Sequence, residues 1–90
     1  MKIGVPSEIK AQESRVGLTP SSVQELTNHG HAVLVQDNAG FGAGFENEDY
    51  QKAGAHIAST AGDVFNDSDM IVKVKEPQSE EVSMLRENQL

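Results

Sequence analysis

The stretch Met70-Ile71-Val72-Lys73-Val74-Lys75-Glu76-Pro77 decides the fold, because it combines a clear strand pattern with charged side chains near the strand end. It opens with apolar, mostly β-branched residues, which favour a buried strand. Lysines then interrupt the apolar run at alternate positions, so Ile71, Lys73 and Lys75 share one face of the predicted strand. Pro77 cannot donate to a β-ladder and disfavours helix at the residue before it, which ends the strand at 76.

Lys75 lies near the carboxyl end of this predicted strand. Open parallel α/β sheets bind their ligands outside the carboxyl ends of their strands, which makes Lys75 a candidate binding residue. The alternative is a lysine whose ammonium group simply extends from a strand tip into solvent. The pattern alone leaves both interpretations open.

Outward from this strand, predicted strands and helices alternate along the chain. Thr19-Pro20 is a strong helix start, and Gly30 is a good helix end. The predicted strands are 2–5, 31–36, 55–58 and 70–76, the predicted helices are 19–29, 46–53, 61–65 and one beginning near Ser79, and 66–69 is a predicted turn. The alternation predicts one α/β domain, an open parallel sheet with flanking helices in a flavodoxin-like order with the first strand central.

Composition narrows the possible functions. The chain has 90 residues, a formal net charge of −7 and no cysteine. The negative charge argues against nucleic acid or an anionic membrane as a partner. The lack of cysteine excludes disulfides and zinc–thiolate sites and suits a cytoplasmic protein. No apolar run approaches the roughly 20 residues that a membrane helix needs.

A long polar loop follows the first predicted strand, from residue 7 to residue 17. Such loops in α/β units are more often functional than idle. Arg15 lies in this loop and is the first arginine of the chain, and its guanidinium can pair bidentately with a carboxylate. On pattern alone, an arginine at the surface without a ligand remains the alternative.

A glycine-rich stretch, 39–45, follows the second predicted strand and invites a dinucleotide-binding interpretation. That motif needs a third glycine where Phe45 stands, and Glu46, Glu48 and Asp49 crowd the place of a pyrophosphate. We therefore predict a tight strand-to-helix connection here. The histidines, His29, His31 and His56, show no metal-ligand spacing.

An ordered set of short blocks resembles the N-terminus of the alanine dehydrogenase family. The blocks are Lys2-Ile3-Gly4-Val5-Pro6, Glu8-Ile9-Lys10, Glu13-Ser14-Arg15-Val16-Gly17-Leu18-Thr19-Pro20, His29-Gly30-His31, Asn38-Ala39-Gly40 and the stretch 70–77. Ser7 departs from the family, where a basic residue is usual. The related nicotinamide nucleotide transhydrogenase α subunit shares the Arg15 block but usually lacks a lysine at position 75, so Lys75 favours the dehydrogenase.

The resemblance implies NAD-dependent oxidative deamination of L-alanine to pyruvate and ammonia. It implies that Arg15 and Lys75 hold the substrate carboxylate and carbonyl, with Lys75 also catalytic, and that NAD binds outside this segment. Residues 1–90 would then be the N-terminal part of the substrate domain, inactive alone, of a cytoplasmic homo-hexamer. Two alternatives stay open: a transhydrogenase-type nucleotide-binding subunit, and a free-standing α/β binding module without chemistry of its own.

Overall fold

The chain alternates strands and helices in a computed structural model that describes residues 1–8 and 16–73. Its elements in order are β1 (Lys2–Val5), α1 (Pro20–Asn28), β2 (Ala32–Gln36), a 3-10 turn (Phe41–Ala43), α2 (Asn47–Lys52), β3 (His56–Ala58), α3 (Ala61–Asp67) and β4 (Met70–Ile71). The predicted final helix near Ser79 lies outside the described residues. Among the described segments, no helix is long and apolar enough to cross a membrane.

The strands form one parallel sheet in the order β3-β2-β1-β4. The predicted open parallel sheet with flanking helices is confirmed, and so is the interior position of β1. The order differs from the flavodoxin order, 2-1-3-4-5, because β3 pairs with the outer side of β2 and β4 takes the place beside β1. The chain therefore proceeds in one direction through β1, β2 and β3, and α3 carries it back across the sheet to β4.

The two faces of the sheet receive different helices. Ile3 and Val5 point to one face and join a buried cluster with Val23 of α1 and Tyr50 of α2. Gly4 points to the opposite face, as alternation along a strand requires. There, a Cβ atom on Gly4 would lie 2.8 Å from Val64 Cγ1 and would overlap the side chain of Ser68. Glycine in β1 is thus what allows α3 to pack closely against the sheet.

Helix ends follow local sequence signals. The Oγ1 atom of the N-cap Thr19 accepts a hydrogen bond from Ser22 N at 3.3 Å, and Pro20 takes the first helical position of α1. Gly30, with φ of 87°, follows the C-cap His29. Glu46 and Asp49 form a capping box at the start of α2. The predicted boundaries of α1 and α2 are confirmed to within one residue.

Two predicted boundaries differ from the structure. Helix α3 continues to Asp67, whereas the sequence pattern ended it at Phe65 and placed a turn at 66–69. Val64, Phe65 and Ser68 are buried, so packing on the sheet extends the helix despite the weak helix propensity of Asn66 and Asp67. Strand β4 comprises only Met70–Ile71. Val72 N donates a hydrogen bond to Gly4 O at 2.9 Å, which continues the pairing of β4 with β1 by one bond. Residues 74–76 of the predicted strand lie outside the described residues.

We predict that Gly4→Ala destabilises the chain by about 1–3 kcal/mol, the usual cost of overpacking a well-filled core. The added methyl group must displace α3, because Val64 and Ser68 already occupy its position. Gly62→Ala is the matched control, since its Cβ would meet no atom closer than Thr60 Oγ1 at 3.8 Å. Urea unfolding measures both, and equal midpoints for the two variants would show that the β1–α3 contact is looser than described.

Candidate functional site

The candidate site lies at the carboxyl ends of β1 and β4. The chain leaves β1 toward β2 on one side, while β4 pairs with β1 on the other, so the strand order reverses between β1 and β4. In open α/β sheets the loops diverge at such a reversal and leave a crevice, which is the usual place for a ligand. The residues that follow Val5 and Ile71 are therefore the candidates for ligand binding.

A buried ion pair joins the two segments at this edge of the sheet. Lys73 Nζ lies 3.4 Å from Glu8 Oε1, and the two side chains are only 5% and 2% exposed. Glu8 follows β1 by three residues, and Lys73 follows β4 by two. Removing two charges from water is costly, and mutual attraction offsets the cost only when the geometry is good. The pair is thus a specific link between the loop that leaves β1 and the segment that leaves β4.

Gly17 makes a second link between the same two segments. A Cβ atom on Gly17 would overlap the carbonyl oxygen of Val72 and would lie 2.9 Å from the carbonyl carbon. Only glycine permits this approach without movement, because the neighbour is backbone and not a flexible side chain. The far end of the long loop, just before α1, therefore packs directly on the end of β4.

Tyr50 fixes the residue after Gly17. The Tyr50 hydroxyl donates a hydrogen bond to Leu18 O at 2.8 Å, and the side chain of Tyr50 is buried. Burial raises the pKa of Tyr50 to about 12, and the nearby Asp49 carboxylate adds to the increase. The phenol is therefore neutral and able to donate across the physiological pH range.

The glycine-rich stretch makes room for Tyr50. A Cβ atom on Gly40 would lie 2.6 Å from both Cε2 and the hydroxyl oxygen of Tyr50. Phe45 packs edge-on against Tyr50 with ring centroids 6.3 Å apart, and Gly44 adopts φ of 90° after the 3-10 turn. The predicted strand-to-helix connection is present, but the ten residues between Gln36 and Asn47 include a 3-10 turn, so it is longer than a tight connection. Its glycines serve close packing and a left-handed turn, because the Tyr50 ring fills the space beside Gly40.

The near end of the long loop is also held. Ser7 N donates to Gln36 Oε1 at 2.9 Å, which joins the exit from β1 to the end of β2. With Glu8 bonded to Lys73, the loop is anchored on both of its neighbouring strands before residue 9. Both ends of the long loop are thus fixed to the carboxyl edge of the sheet.

The two residues predicted to bind substrate, Arg15 and Lys75, lie outside the described residues. The structure does describe their neighbours. Gly17 follows Arg15 by two residues, and Lys73 precedes Lys75 by two. The sequence analysis did not predict the Glu8–Lys73 pair. Its only indication was a lysine at an alternate position in an apolar strand, and this pattern does not show which residue the lysine contacts.

Together, the parallel sheet and the reversal of its strand order beside β1 define a doubly wound α/β domain. The family model described as alanine dehydrogenase/PNT, N-terminal domain, matches residues 4–90. The chain belongs to this family, which confirms the resemblance noted in the sequence.

Individual relatives agree with the family match. The chain is 51% identical over 89 residues to the alanine dehydrogenase of Halomonas elongata, covering 99% of this chain and 24% of that protein. It is 52% identical over 87 residues to the alanine dehydrogenase of Staphylococcus haemolyticus, covering 97% of this chain and 23% of that protein. The chain therefore spans about a quarter of the length of these relatives.

Solved structures show the same fold. An L-alanine dehydrogenase structure superposes with a TM-score of 0.93 at 50% identity, covering 96% of this chain and 24% of that one. The crystal structure of a transhydrogenase from Sinorhizobium meliloti superposes with a TM-score of 0.90 at 33% identity, covering 98% of this chain and 25% of that one. The fold is thus common to both branches, and it does not by itself separate them.

We predict that Tyr50 ionises near pH 12 in the folded chain and near pH 10 in urea. Tyr50 is the single tyrosine and the chain has no tryptophan, so tyrosinate absorbance reports this residue alone. A folded-state pKa above the unfolded value gives stability that is fully present below about pH 10 and is lost as the pH rises to about 12. The loss is on the order of a few kcal/mol.

Tyr50→Phe is the control for this titration, since it removes the ionising group and keeps the ring. The difference in unfolding free energy between the parent chain and this variant should shrink as the pH rises from about 10 to about 12. Ionisation of the folded chain near pH 10 would contradict the buried, bonded position of the Tyr50 hydroxyl.

Proposed function

We propose that the chain is the N-terminal part of the substrate domain of an NAD-dependent alanine dehydrogenase. The reaction converts L-alanine, NAD⁺ and water to pyruvate, ammonium ion, NADH and a proton. The observation that carries the proposal is the 51% identity to an alanine dehydrogenase, against 33% to a transhydrogenase. The Gly17–Val72 contact and the Glu8–Lys73 pair indicate where on the sheet the proposed site lies. The chain covers about a quarter of its relatives, so we expect it to be inactive alone.

The linkage supports a two-residue substrate clamp. Arg15 and Lys75 are far apart in sequence, yet each is two residues from a described residue at the same crevice, Gly17 in one case and Lys73 in the other. The Gly17–Val72 contact holds these two neighbourhoods together. We therefore propose that both cations reach the carboxyl edge of the sheet, where two positive charges would suit the carboxylate and carbonyl of alanine or pyruvate.

The two cations are suited to different parts of the substrate. The guanidinium of Arg15 offers a planar fork that matches a carboxylate with two parallel hydrogen bonds. The ammonium of Lys75 is a compact charge that can follow the carbonyl oxygen of pyruvate as negative charge develops on that oxygen during the addition of ammonia. Arg15 would thus chiefly bind, whereas Lys75 would bind and also stabilise the transition state.

NAD does not fit the glycine-rich stretch of this chain. The ring of Tyr50 fills the space beside Gly40, the capping box engages the backbone amides of Glu46 and Asp49, and the carboxylates of this first turn would repel a pyrophosphate. We therefore assign cofactor binding to the part of the protein beyond this chain, where NAD supplies the hydride acceptor. A homo-hexameric assembly in the cytoplasm is part of the same proposal.

A transhydrogenase-type subunit is the second candidate, and the 33% identity to the Sinorhizobium meliloti transhydrogenase favours it. The two candidates differ at Lys75, to which the proposal gives a substrate-binding role in the dehydrogenase. An alanine-dependent reaction that requires Lys75 would separate them.

We predict that Arg15→Ala, in the full-length enzyme that carries this chain, chiefly raises the KM for alanine and pyruvate. Lys75→Ala should lower kcat as well, because its interaction strengthens toward the transition state. Loss of one hydrogen bond to a charged group costs roughly 1.5–3 kcal/mol, so each effect should reach about ten- to a hundredfold. Steady-state kinetics, with NAD affinity measured separately and unchanged, tests both variants.

The exposed Lys52 at the end of α2 offers a matched control for the loss of a cation. Lys52→Ala should leave kcat and KM at their parental values. If Lys75→Ala keeps the parental kcat and KM, Lys75 has no chemical role and the proposed two-residue substrate clamp is wrong.

A further inference from the structure

We draw no further inference here: the strongest candidate, the surface groove between the start of α1 and helix α2 that Pro20, Phe45 and Lys52 line, carries no proposal because nothing in the part of the chain that the structure describes shows what covers it.

Discussion

The pairing of β4 with β1 is the constraint on which the rest of the structure depends. It requires α3 to return across the sheet, and α3 can pack closely there because Gly4 presents no Cβ atom to Val64 and Ser68. It also reverses the strand order beside β1, so that Glu8, after β1, meets Lys73, after β4. The same pairing therefore marks the edge of the sheet where a ligand is expected.

Polar and backbone contacts join the segments at the carboxyl ends of β1 and β4. Glu8 and Lys73 join the two segments, Gly17 lies on the carbonyl of Val72, and Tyr50 holds Leu18 through a neutral hydroxyl. Each contact restricts a described segment at the carboxyl edge of the sheet.

Local signals predicted most of the fold. Features that depend on neighbouring residues are confirmed by the structure: strand 2–5, the N-cap of α1 at Thr19 and the end of α1 before Gly30. The outer place of β3 and the length of α3 depend on packing between distant segments, and the sequence pattern missed both. The Glu8–Lys73 pair joins residues far apart in the chain, so no spacing could reveal it. Roles for Arg15 and Lys75 came from family resemblance, since pattern alone left each with a surface alternative.

The central claim is that the crevice between β1 and β4 receives the substrate. A crystal structure of the full-length enzyme bound to pyruvate tests it most directly. The account predicts pyruvate at the carboxyl ends of β1 and β4, with its carboxylate bonded to Arg15 and its carbonyl oxygen to Lys75. Pyruvate bound elsewhere, with Arg15 and Lys75 both out of hydrogen-bond reach, would contradict the claim.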